Sequence, residues 1–175
     1  RLGNKVKVSP ALRDQSEQNA LWELFRKNEA DVLCSEHTPH ELSLKEQPDL
    51  WKAPSGMPSI QETLPALITG WIKRFGKESI EEGLMTISKL SSQSPAQIFG
   101  FDSKGEISIG KDADLVVIDP QHSWEVKKED LFSKCGWSAY EGVKLLGRPV
   151  APFLRGELVY NSGMVIGKPK GKWLQ

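Results

Sequence analysis

The sequence predicts an α/β fold that gives way to a mostly β region near residue 101. An amphipathic helical stretch runs straight into a short, almost wholly apolar segment, which is the β-α-β rhythm of α/β proteins. Beyond Gly100 the hydrophobic period changes from helical spacing to two. Two strand-like runs then flank Arg155-Gly156, the signature of a hairpin.

In chain order, Arg1 to Val8 reads as a strand, with Lys5 to Val8 alternating charged and apolar before Ser9-Pro10 breaks it. A strand at the very first residues suggests that something normally precedes it, the alternative being a processed or engineered start. Asp14 is an N-cap for a helix to Asn28 that places Ala20, Leu21, Leu24 and Phe25 on one face. Asp31 to Ser35 then reads as a strand buried on both sides, as in a parallel sheet. Residues 36–58 form a long connection with Pro39, Pro48, Pro54, Pro58 and Gly56. Loops of that length usually bind something.

Ser59 to Ile72 is helical, with Ile60, Thr63, Leu64, Leu67, Ile68 and Trp71 at helical spacing and Pro65 marking a kink or the true start. Glu78 to Leu90 is a second helix, carrying Ile80, Leu84, Ile87 and Leu90. A third starts at Ser94 as N-cap with Pro95 in its first turn and stops at Gly100. Gly105 to Gly110 alternates with period two around a strand, Lys111-Asp112-Ala113 is a turn, and Asp114 to Asp119 is a strong strand. Val150–Leu154 and Glu157–Tyr160 complete the hairpin. The expected division is residues 1–100 and residues 101–175.

With 175 residues, 38% hydrophobic and 26% charged, the chain can bury a core and is not disordered. Lys+Arg and Asp+Glu are both 23. That balance gives no electrostatic footprint for a phosphate backbone or an anionic membrane, so neither nucleic acid nor membrane is an expected partner. No stretch approaches the ~20 apolar residues of a membrane span. Cys34 and Cys135 match no metal or redox spacing, and Cys34 reads as a buried free thiol in a reduced, cytoplasmic protein.

Two of the three histidines fall in Glu36-His37-Thr38-Pro39-His40, directly after the expected strand at Asp31–Ser35. In parallel α/β folds, ligands gather at the carboxyl ends of strands. A carboxylate and two imidazoles there suit metal binding, proton transfer or anion binding. Equally, both histidines read as loop residues bonding the backbone, and acid-His-x-x-His alone does not decide. A catalytic zinc takes three protein ligands and an open position. Neighbouring strand residues point opposite ways, so this motif is not a complete site. His122, beside Trp124, reads as a surface or packing histidine. Pro54-Ser55-Gly56-Met57-Pro58 is either a close backbone approach to a ligand or an ordinary turn feeding a helix.

These segments together resemble the dihydroorotases, cyclic amidohydrolases. Lys7-Val8-Ser9-Pro10-Ala11-Leu12-Arg13, Glu36-His37-Thr38-Pro39-His40, Pro54-Ser55-Gly56-Met57-Pro58 and Glu62-Thr63-Leu64-Pro65 follow the family's order. Ser94-Pro95-Ala96-Gln97-Ile98-Phe99-Gly100, Lys104-Gly105 through Asp119, and Gly147-Arg148-Pro149-Val150 with Arg155-Gly156 continue it.

The resemblance implies a metal-dependent hydrolase on a (β/α)₈ barrel with a small β-sandwich, closing N-carbamoyl-aspartate reversibly to dihydroorotate in pyrimidine synthesis. Glu36 falls where the family has its metal-binding, proton-shuttling Asp, His40 where it contacts the substrate carboxylate, and Ser9 where it has a substrate-binding Asn. Ser55, Gly56 and Met57 fall where backbone groups meet the pyrimidine ring. Glu for Asp lengthens the acid by one methylene, and Ser for Asn removes an amide that both donates and accepts.

A barrel needs about 250 residues. The resemblance therefore places residues 1–100 as its last strands and helices and residues 101–175 as the C-terminal share of the sandwich. The implied cofactor is zinc, with most ligands outside this segment, which is incomplete alone. Implied partners are a small-molecule substrate, a further copy of the chain and a carbamoyltransferase. Alternative readings are a non-catalytic structural partner of the carbamoyltransferase, or a related allantoinase or hydantoinase.

Overall fold

In the computed structural model, which describes residues 2–174, helices precede residue 100 and strands follow residue 114. Asp14 caps α1 (Gln15–Arg26) by accepting the Glu17 N–H at 3.0 Å. That bond, with the Ser16 hydroxyl, holds the Asp14 carboxyl below its usual range. The packing face differs from the expected one. Leu21 and Leu24 are exposed, while Trp22 and Phe25 turn inward against α3 (Ile60–Phe75). Aromatic area decides this rotation: Trp22, Phe25, Trp71 and Phe75 meet edge to face, with Trp71–Phe75 centroids 4.9 Å apart.

Trp71 and Ile68 are fully buried and form the centre of the core with Phe25, Ile87 and Leu90. The Trp71 indole N–H is satisfied by Ser79. Pro65 neither breaks nor starts α3, which begins at Ile60, and Ile60 itself is exposed. A 3₁₀ turn (Lys77–Ser79) leads into α4 (Ile80–Ser88), whose Ile80, Leu84 and Ile87 pack on α3 as the spacing predicts.

Ser94 is not an N-cap. A π-helical stretch, Lys89–Gln93, carries α4 directly into α5 (Ser94–Phe99). Pro95 offers no N–H and crowds the carbonyl four residues back, and a widened turn accommodates both. Gly100 ends α5 in the left-handed conformation (φ 71°), as expected.

Three expected strands are not formed, two of them before residue 36. Gly3–Val6 is a 3₁₀ turn, and the Arg1 end of that expected strand lies outside the described residues. Asp31–Ser35 is not assigned as a strand and, among the described residues, no strand pairs with it. Its Leu33 N–H goes instead to the Leu90 carbonyl at 2.9 Å. An extended segment becomes a strand only through a ladder with a neighbour. Cys34, expected to be buried, is exposed.

Gly105 to Gly110 likewise makes no strand, leaving Ile107 and Ile109 in solvent. The strong strand is present and longer than expected: β1 (Leu115–Glu125) pairs antiparallel with β2 (Lys144–Leu154). Pro120 sits in a register irregularity of this ladder, where no donor is needed. Arg155-Gly156 turns β2 into β3 (Glu157–Leu158), and β4 (Tyr160–Asn161) pairs with β5 (Met164–Val165).

The sheet docks on α3. Thr69 Oγ1 donates to the Pro65 carbonyl at 2.7 Å and accepts the Leu146 N–H at 2.8 Å. A Cβ at Gly147 would sit 2.4 Å from Ile68 Cδ1, so glycine permits this approach.

Candidate functional site

Residues 35–40 and 55–60 lie side by side, tied by main-chain and side-chain bonds. The Thr38 N–H donates to the Met57 carbonyl at 3.0 Å, beside an isolated parallel bridge between His37 and Met57. Gly56 is buried with φ 117°, and a Cβ there would stand 2.4 Å from Thr38 Cβ. Glycine is therefore required both by conformation and by contact. The Gly56 N–H donates to the Lys7 carbonyl at 2.9 Å, which brings residues 7–9 alongside the turn. Ser9 is exposed, and its hydroxyl bonds to no group among the described residues.

Glu36 is exposed and adopts a left-handed backbone, φ 48°. For a side chain with a Cβ this costs roughly 1–2 kcal/mol. The Thr38 hydroxyl supports it by donating to the Glu36 carbonyl at 3.0 Å. The Cys34 thiol donates to Glu36 Oε1 at 3.6 Å. His40 reaches the turn, with Nε2 3.0 Å from the Ser55 carbonyl, so one ring nitrogen is engaged and Nδ1 is left for other partners. The structure thus gathers Glu36, His40, Ser55, Gly56 and Met57, with Ser9 on the adjoining segment.

Three residues without a sequence signal hold this arrangement. Lys45, in the one-turn helix α2 (Leu42–Lys45), is fully buried and donates to the carbonyls of Lys7 (3.0 Å) and Pro54 (2.7 Å). Burial, with the Lys7 charge adding to it, pushes its pKa below the usual lysine range. Trp137, also buried, donates its indole N–H to the His40 carbonyl at 2.8 Å. The Gln61 amide pairs like a strand with backbone 130–132, donating to the Asp130 carbonyl at 2.8 Å and accepting the Phe132 N–H at 3.0 Å.

A cavity of about 340 Å³ adjoins His37, lined also by Ser59, Glu62, Phe132, Ser133 and Trp137. Glu62 is buried in the first turn of α3. Burial, with Glu62 adding to it, pushes the Tyr140 hydroxyl above its usual range. His122 is exposed, as expected. Among the described residues, no three His, Cys, Asp or Glu side chains gather as a metal site, and no helix is long and apolar enough to cross a membrane.

The sequence matches the Amidohydrolase family over residues 66–159. It is 32% identical over 170 residues to the dihydroorotase of Pyrococcus furiosus, covering 95% of this chain and 37% of that protein. It is 33% identical over 175 residues to the allantoinase of Rubrobacter xylanophilus, covering 100% of this chain and 37% of that protein. Among solved structures, the L-hydantoinase (dihydropyrimidinase) of Arthrobacter aurescens superposes with a TM-score of 0.87 at 29% identity. That match covers 96% of this chain and 37% of the hydantoinase. The chain spans about 37% of the length of these relatives. The chain belongs to the amidohydrolase family.

Proposed function

We propose that this amidohydrolase-family chain is the C-terminal segment of a dihydroorotase-type hydrolase of cyclic amides. In this reading residues 1–100 are the last strands and helices of a (β/α)₈ barrel, and residues 101–175 are the C-terminal share of a small β-sandwich. The observation that carries it is the meeting of an exposed acid, a histidine and a glycine turn: Glu36, His40 and Ser55–Met57 share one hydrogen-bonded unit.

Glu36 offers a carboxylate with one oxygen engaged only by a thiol, which suits one ligand position of a divalent metal such as zinc. The remaining ligands are expected outside this segment, so the chain alone is incomplete. When bound, zinc supplies Lewis-acid polarisation of the ring carbonyl and of water. Glu36 holds a left-handed backbone and carries one methylene more than the aspartate of the dihydroorotase pattern. Its carboxylate takes and returns the proton that moves as the ring amide opens.

His40, anchored through Nε2 to Ser55, presents Nδ1 to a substrate carboxylate. The Ser55–Met57 backbone meets the ring, and Ser9 approaches from the adjoining segment. The likeness to an allantoinase and an L-hydantoinase supports a second reading, in which the same unit serves another cyclic amide. A cytoplasmic setting, self-association and a carbamoyltransferase partner accord with the first reading.

Co-expression with the N-terminal portion of a related dihydroorotase tests both readings. The assembled wild type is expected to retain zinc and hydrolyse dihydroorotate, and Glu36→Ala to lose at least ~100-fold in kcat. Turnover of allantoin or hydantoin alone would favour the second reading. No ring hydrolysis by the assembled wild type, or full activity of Glu36→Ala, would sink the proposal.

A further inference from the structure

The N-terminus of α3 is capped from outside the helix. Its N-cap residue, Ser59, makes no side-chain cap bond and instead donates its hydroxyl to the Ser35 carbonyl at 2.7 Å. The cap comes from His37, whose Nδ1 accepts the N–H of Ser59 at 3.0 Å and of Ile60 at 3.2 Å. The two segments are thus bonded in both directions, and His37 stands between Glu36 and the Thr38 N–H that bonds Met57. Accepting at Nδ1 places the ring proton on Nε2 and leaves no Nδ1 lone pair for a metal.

We propose that His37 is a positioning residue: seated on the first turn of α3, its imidazole sets Glu36 and His40 against the Ser55–Met57 turn as one rigid unit. What that unit does chemically rests on the hydrolase reading above; its assembly does not. Orientation of this kind matters because groups that hold a reactive side chain in place typically govern ~10- to 100-fold in activity.

Asparagine and glutamine separate this role from general packing. Asn places its carbonyl oxygen near the position of Nδ1, whereas Gln carries its carbonyl to the position of Nε2. Nitrogen-15 NMR of the wild-type chain is expected to show the Nε2–H tautomer at His37. His37→Asn should keep the Thr38, His40 and Met57 amide signals in place, and His37→Gln should displace them. In the assembled hydrolase, His37→Gln is expected to lower kcat/KM by ~10-fold or more, with His37→Asn restoring most of it.

An Nδ1–H tautomer in the wild type, or equal spectra for the Asn and Gln variants, would overturn the assignment. Should the Gln variant fail to fold, the wild-type tautomer and the Asn spectrum decide. An inactive wild-type assembly would defeat the hydrolase reading while these spectra still judge the positioning role.

Discussion

Trp137 and Lys45 both act on the site through backbone carbonyls, and their chemistry sets different consequences. An indole has one donor and no acceptor, and Trp137 gives it to His40. Trp137→Phe keeps most of the buried ring and removes that bond, so a loss of about 1 kcal/mol is expected in chemical unfolding. The His40 ring signals should shift with it, and a variant with unchanged stability and unchanged His40 signals would refute the anchor. Lys45 is a buried cation without a carboxylate partner among the described residues. Its folded pKa lies below the unfolded one, so its charge opposes folding at neutral pH, and that cost fades as pH rises through the folded value. A neutral amine keeps two N–H groups, enough for both carbonyls it serves.

At the scale of elements, the turn from α5 to β1 is held by one lysine. Lys104 bridges Asp112 at 2.8 Å and also Asp114, whose other oxygen accepts the Arg155 N–H at 2.7 Å. These carboxylates hold Lys104 charged above its usual range, and Lys104 lowers Asp112 in return. For Asp114, burial alone would raise the pKa, but the bonds from Lys104 and Arg155 outweigh it and the net shift is downward. The contribution of the carboxylates is present above their unfolded pKa and lost as pH falls through the lower folded values. Acidification from about pH 5 to about pH 2 should therefore loosen this turn, and Lys104→Met should remove much of that acid dependence. Amide exchange at Asp112 and Arg155 reads both effects, and identical acid profiles for the two proteins would count against the cluster.

For the molecule as a whole, the first half of β1 is unusual. Adjacent strand residues point to opposite faces, yet Val116 and Val117 are 48% and 50% exposed, so neither face is covered. β1 is also an edge of the three-stranded sheet. Ile107 and Ile109 add apolar surface in the segment leading to it. Open edges and apolar faces of this kind promote association. The chain is expected to self-associate in size-exclusion chromatography at tens of micromolar, roughly, and Val117→Lys to reduce that association. A monodisperse wild type, or a lysine variant that associates equally, would contradict it.

Local chemistry made much of this legible from the sequence alone. The Asp14 cap, the Gly100 stop, the α3 core from Leu64 to Trp71, the α4 core positions, the β1 strand and the Arg155-Gly156 turn follow from short-range rules acting over a few residues. The motif order pointed to the amidohydrolase family and to the segments that meet at Glu36, His40 and Ser55–Met57. Tertiary structure decided what depends on distant partners. Asp31–Ser35 carries strand residues but has no ladder among the described residues, and α1 turns Trp22 rather than Leu21 inward because Phe75 of α3 meets its ring edge to face beside Phe25. The roles of His37, Lys45 and Trp137 likewise lie outside any local pattern. Each is defined by a hydrogen bond to backbone far along the chain, and only folding sets that distance.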